Sequence, residues 1–134
     1  MSNDTVRYLG LEWIDALTRE VAASAAMAEV ARDHTIGITQ TVTGGPEGDV
    51  TYHFVVRDGE PAFGAGAAHD EDVRMVQSWS VAVSVATGEV NAQDMFINGS
   101  IRIHGDVQKL IGAEALFAAL DTVFESVRPQ TTYA

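Results

Sequence analysis

Residues 87–106 read TGEVNAQDMFINGSIRIHGD and set two short elements between stop signals. Asn91 is of a type whose side-chain oxygen satisfies the free N–H groups at a helix start, so a short helix is expected from there through Phe96. Asn98-Gly99 ends it in a left-handed turn, a conformation glycine enters without steric cost. Successive side chains of an extended chain alternate, so Ile101 and Ile103 point to one side of a strand while Arg102 and His104 point to the other. Asp106 caps a last helix, whose wide apolar stripe runs from Val107 through Leu110, Leu116, Phe117, Leu120 and Phe124 to Val127. Arg128-Pro129 brings that helix to its end.

Upstream, the period identifies the other elements. From Leu9 to about Arg32 the apolar residues Leu9, Trp13, Ile14, Leu17, Val21, Ala25 and Ala28 recur at helical spacing in an alanine-rich run, which predicts one amphipathic helix. The period then falls to two. Ile36, Ile38 and Val42 alternate with threonines, and Val50, Tyr52, Phe54 and Val56 form a second alternating run after the loop Gly44-Gly45-Pro46-Glu47-Gly48-Asp49, which predicts two antiparallel strands. Asp58-Gly59 signals a tight hairpin, because both central residues of a type I′ turn need positive φ. It leads into a third strand from Glu60 to about Ala67, in which Gly64 and Gly66 mark a bulge or the close approach of another group. A fourth strand, Asp72 to Gln77, puts Val73 and Met75 on one face. Residues 79–87 admit two readings: Val81, Val83 and Val85 alternate as in a strand, whereas Ser78 as a cap and Gly88 as a stop suit a short helix.

The composition narrows the function classes. A length of 134 residues fits one domain, 1–134, with its core at about 9–127. Nineteen acidic against eight basic side chains give a net charge of -11, which repels phosphate backbones and anionic lipid surfaces, so nucleic acid is not an expected partner. The absence of cysteine removes disulfide frameworks, thiol catalysis and thiolate metal sites. No secretory leader or membrane span is read in the sequence, and a cytoplasmic location is expected.

With these elements in place, the chain resembles the sterol carrier protein 2 family of small sterol- and lipid-transfer domains. The resemblance rests on the hairpin FVVRDGE at 54–60, the strand opening DEDVRM at 70–75, and above all residues 87–106, and it spans roughly residues 9–127. It implies an α+β fold in which a five-stranded, mostly antiparallel sheet is covered by helices, with an apolar cavity between them, and it favours the helical reading of 79–87. The function it implies is that of an intracellular carrier that binds a sterol, steroid, fatty acid or fatty acyl ester and moves it between membranes or enzymes. Family members that act on membranes or acyl-CoA are often basic, and the acidity of this chain shifts the expectation away from anionic head groups and toward a neutral sterol, a fatty acid or a steroid-like ligand. The C-terminal Thr-Thr-Tyr-Ala has no peroxisomal signal, which fits a bacterial or cytoplasmic stand-alone carrier.

For such a cavity the candidate ligand-binding residues are Trp13, Phe63, Met75, Trp79, Met95, Phe96, Phe117 and Phe124, each weighed against ordinary core packing. Gln77 and Gln93 are candidates for orienting a ligand hydroxyl, weighed against surface amides. No catalytic residue, metal ligand or cofactor is expected. The four histidines lack zinc-site spacing, His69-Asp70-Glu71-Asp72 lacks the rest of a calcium loop, and no serine sits in a nucleophile elbow. Expected partners are a small hydrophobic ligand (sterol, steroid, fatty acid or acyl-CoA), at most a transient membrane contact, and a lipid-metabolising enzyme. Two alternatives stand beside the carrier: a small cofactor-free enzyme of isomerase or cyclase type, and an accessory subunit docked on a lipid- or steroid-metabolising enzyme.

Overall fold

The computed structural model describes residues 6–133, apart from the side chains of residues 92 and 93. A short strand, β1 (Val6–Arg7), leads into two helices, α1 (Leu11–Ala23) and α2 (Ala25–Ala31), where the sequence predicts one. The break is at Ser24, which adopts an extended conformation and accepts the Met27 N–H on its hydroxyl at 3.1 Å. A serine that can cap outcompetes helix continuation at that point. Both halves still bury one stripe, with Leu17, Val21, Met27 and Ala31 almost wholly out of solvent.

The main sheet contains β2 (Ile36–Gly45), β3 (Gly48–Arg57), β4 (Glu60–Ala65), β5 (Val73–Ser78) and β6 (Ile101–Gly105), in the order β4-β3-β2-β5-β6. Three pairings are antiparallel, and the central one, β2 with β5, is parallel, so the sheet is mixed and predominantly antiparallel. Asp58 (φ 52°) and Gly59 (φ 78°) both sit at positive φ between β3 and β4, as the type I′ hairpin demands. At Gly64 the close neighbour is the His53 imidazole, 3.0 Å from where a Cβ would stand.

Registration puts every second residue on the same side. One side carries Ile36, Ile38, Val42, Phe54, Val56, Phe63, Val73 and Ile101, all buried under the helices. The other carries Thr41, Thr51, His53, Arg57, Arg74, Arg102 and His104. The connection from edge strand β4 to β5 runs across this polar side. Ala68 N–H donates to the fully buried Thr39 hydroxyl at 2.9 Å, Arg57 Nη2 donates to the Asp70 carbonyl at 3.0 Å, and the Asp72 carboxylate accepts the Gly37 N–H at 2.8 Å. Lys109 also approaches Asp72 at 3.3 Å, and Glu71 holds Arg74 through two hydrogen bonds, which keep the Glu71 carboxyl below its ordinary range. The acidic run at 69–72 thus fastens a crossover.

After β5 come α3 (Trp79–Ala86) and α4 (Ala92–Ile97); after β6 come α5 (Val107–Gly112) and α6 (Glu114–Val127). Residues 79–86 are helical. Ser78 Oγ accepts the Val81 N–H at 3.3 Å, and Gly88 (φ 82°) lies just past the end. Asp106 caps α5 through the Lys109 N–H at 3.0 Å. The last helix, expected to be continuous, is divided at the buried Ala113. A final strand, β7 (Thr131–Thr132), pairs in parallel with β1, and neither of these two-residue strands is visible as a periodic pattern in the sequence. Among the described residues no helix is long and apolar enough to cross a membrane.

Candidate ligand cavity

The inner side of the sheet and the helices over it do not close completely. Between Ile38, Gln40, Tyr52, Phe54, Met75, Gln77 and Ile101 on the strands, Ala82, Val85 and Ala86 on α3, and Phe117, Leu120 and Phe124 on α6 lies a cavity of about 500 Å³. That volume falls within the roughly 300–1,000 Å³ of small-molecule pockets. Cross-strand register assembles its floor: Gln40 of β2 stands between Tyr52 of β3 and Met75 of β5, and Gln77 stands between Val42 of β2 and Ile101 of β6. Acidic side chains of α6, Glu114, Asp121 and Glu125, are exposed and border it, together with Arg128.

Two amides interrupt the apolar floor. Gln77 is 9% exposed and donates through Nε2 to Gln40 Oε1 at 3.1 Å. Gln40 Nε2 in turn points at the Met75 sulfur, 3.5 Å away. The Gln77 carbonyl oxygen and the Arg128 Nε–H are both buried and meet no hydrogen-bond partner among the described residues. Tyr8 and Tyr52 also border the cavity. Burial pushes both phenols up, and the neighbouring Tyr52 and Tyr133 add to the effect at Tyr8. Both therefore remain neutral hydroxyls, and Tyr8 donates to the Ala82 carbonyl at 3.4 Å, tying α3 to the segment after β1.

Of the eight residues singled out from the sequence, Met75, Phe117 and Phe124 line this cavity. Trp13 and Phe63 stand outside its lining, in an aromatic cluster with their ring centroids 6.0 Å apart and at 5.8 and 6.3 Å from Phe124. Trp79 is half-buried against Tyr8, with ring centroids 5.4 Å apart, and covers Gly45. Met95 does not line it but lies in an adjoining surface depression that shares Gly88, Val90 and Asn91 with the cavity, and Phe96 is exposed on α4. Gln77 faces the cavity; the side chain of Gln93 lies outside the described residues. Sequence reasoning missed Gln40, Tyr8, Tyr52 and Arg128. A signal for Gln40 exists: in the inward series Ile36, Ile38, position 40, Val42, it is the one polar member.

The histidines are distributed elsewhere. His53 Nδ1 sits 3.1 Å from the Gly66 carbonyl on the polar side of the sheet, and His34 reaches from the end of α2 to the Gly112 carbonyl at 3.1 Å. Among the described residues no three histidine, aspartate or glutamate side chains come together as a metal site.

Residues 14–118 match the SCP-2 sterol transfer family. Over 56 residues, 42% of this chain, the sequence is 34% identical to the oleate-induced peroxisomal protein POX18 of Candida maltosa, and the match spans 44% of that protein's length. Among solved structures, a conserved hypothetical protein of Thermus thermophilus superimposes with a TM-score of 0.70 at 16% identity, covering 89% of this chain and 88% of that one. The apo form of sterol carrier protein 2 from Yarrowia lipolytica superimposes with a TM-score of 0.60 at 17% identity, covering 86% and 88%. At such identities the likeness is one of fold.

Proposed function

This chain belongs to the SCP-2 sterol transfer family, and on that premise we propose that it is a noncatalytic carrier that holds one sterol, steroid, fatty acid or fatty acyl ester in the cavity under α3 and α6 and passes it between membranes or enzymes. The observation that carries this reading is the cavity of about 500 Å³ walled largely by Ile38, Phe54, Met75, Phe117, Leu120 and Phe124. Removing apolar ligand surface from water there supplies about 2.5 kcal/mol per 100 Å². Desolvation is thus the driving force, and the few polar groups set orientation. Met75, with its unbranched, polarisable thioether, adapts to ligands of different outline, while Phe117 and Phe124 form a wall from α6. Trp13 and Phe63 back that wall through their contacts with Phe124.

The net charge of -11 and the carboxylates of Glu114, Asp121 and Glu125 beside the cavity oppose a polyanionic head group such as that of acyl-CoA and support brief rather than lasting contact with anionic membranes, while Arg128 on the same cavity offers a single cation to a fatty acid. The test is to purify the protein gently, extract it with organic solvent, identify the extract by mass spectrometry, and titrate the emptied protein with the same compound. The expected result is one lipid per chain that rebinds saturably. Nothing extracted, together with no binding across a panel of sterols, fatty acids and esters, would overturn the carrier and favour a face that docks on another protein.

A further inference from the structure

We infer that the Gln40–Gln77 amide pair makes the cavity selective for a lipid bearing a hydroxyl group over the same lipid without the O–H donor; the inference rests on the carrier reading above.

The orientation of the pair follows from its neighbours. A thioether sulfur accepts hydrogen bonds and donates none. Met75 therefore fixes which end of Gln40 faces it: Nε2 lies 3.5 Å from the sulfur. Oε1 of Gln40 is thereby turned to Gln77, where it accepts from Nε2 at 3.1 Å. With its nitrogen so engaged, the Gln77 amide presents its carbonyl oxygen as a free acceptor. That oxygen is buried, and no donor among the described residues reaches it, on a residue only 9% exposed and set between Val42 and Ile101.

A ligand recognised here brings a hydrogen. A hydroxyl donates to Gln77 and retains lone pairs that can accept, a need shown by the unpaired Nε–H of Arg128 on the same cavity. A carboxylate offers acceptors only. Its oxygens suit the Arg128 guanidinium but leave the Gln77 oxygen without a donor. An ether keeps the apolar body and loses the donor, leaving the Gln77 oxygen unpaired beside it. Since a buried polar group without its partner is costly, the alcohol is favoured over its methyl ether by about tenfold.

The hydroxyl can belong to a ring system or to a straight chain, so delipidated full-length protein is titrated with cholesterol, cholesterol methyl ether, 1-hexadecanol, 1-methoxyhexadecane and palmitate. Both alcohols, or the one whose body fits, are expected to bind about tenfold tighter than the matching ether, while palmitate reports on the carrier reading alone. In Gln77→Leu the gap between alcohol and ether is expected to shrink below about twofold, because the acceptor that distinguishes them is gone. The comparison of alcohol with ether on the unsubstituted protein stands even if that variant does not fold. Whichever alcohol binds tighter identifies the body and supports the hydroxyl rule. Equal binding of alcohol and ether overturns the inference and leaves the carrier intact. No binding of any of the five compounds, with nothing extracted from the native protein, overturns the carrier reading and this inference with it.

Discussion

Gly105→Ala is expected to destabilise the fold by about 3 kcal/mol or more, lowering the thermal midpoint by roughly 10 °C or more. Two costs act at once. Gly105 sits at φ 109°, a backbone conformation that only glycine adopts without strain, and a Cβ there would come 2.3 Å from the Asp72 carbonyl oxygen. The clash is with backbone, so no side chain can swing away to relieve it. The position is also a junction: Gly105 pairs with Val73 in the sheet, and the next residue, Asp106, donates its N–H to that same Asp72 carbonyl at 2.9 Å while capping α5. Forcing Asp72 outward therefore disturbs the end of β6, the start of α5 and the crossover that Asp72 fastens to Gly37. Gly112→Ala is the control. Apart from its chain neighbours and the backbone of its own helix, no heavy atom of the described residues lies within 4 Å of a Cβ built there and its φ is not positive, so the substitution is expected to be neutral or to stabilise by about 0.5 kcal/mol. Urea or thermal unfolding of the two variants side by side gives the answer, and equal stability would show that β6 can retreat from Asp72 without loss.

Ala86→Trp is expected to reduce lipid binding about 100-fold or more while leaving the thermal midpoint unchanged or higher. Ala86 lines the cavity from the end of α3 and is half-buried. A tryptophan there has the open volume to enter, so it fills space that the ligand needs instead of colliding with packed core. Displacing about 100 Å² of ligand surface back into water removes about 2.5 kcal/mol, close to a factor of 100 in affinity. The unfilled lining gains contacts in the same step, which is why stability is expected to hold. Ala26→Trp, on the exposed side of α2, provides the comparison and should bind as the unsubstituted protein does. A folded Ala86→Trp protein with unimpaired binding would move the ligand out of this cavity altogether.

Local chemistry made much of this architecture legible. Asp58-Gly59, Ser78, Gly88 and Asp106 each do in the structure what their residue types require, because turns and caps are decided within four residues by φ and by free N–H groups. The misses share a different origin. Ser24 interrupts an alanine-rich run whose periodicity continues smoothly across it, so the apolar pattern conceals the break, and Ala113 does the same in the last helix. The parallel pairing of β2 with β5 joins segments separated by a hairpin and a crossover, and no alternation pattern encodes which neighbour a strand selects. At the cavity the limit is sharper. Trp13, Phe63, Phe117 and Phe124 all occupy inward positions, and period alone does not distinguish a side chain that meets another side chain from one that meets open space. The polar exceptions in the inward series, Gln40 and Gln77, are the more informative residues, since an amide placed where the alternation calls for an aliphatic group marks a wall with something to bind.

The pairing of β1 with β7 has a consequence for how the protein is made. Val6 meets Thr131, so this two-residue ladder closes a loop that contains the whole main sheet and helices α1 to α6, and the entropy of closing a loop must be spent before its contacts repay it. The large antiparallel hairpin of β2 and β3 is local and can form early during synthesis. Tyr8, held next to β1 and bonded through its backbone N–H to Thr132 at 2.9 Å, is positioned only once the segment after α6 has emerged and docked. Arg128 comes from that same late segment. The cavity wall that carries Tyr8 and Arg128 is therefore completed only after the segment that follows α6 has been made, and a nascent chain stalled just after α6 would have its sheet and helices but an unfinished container.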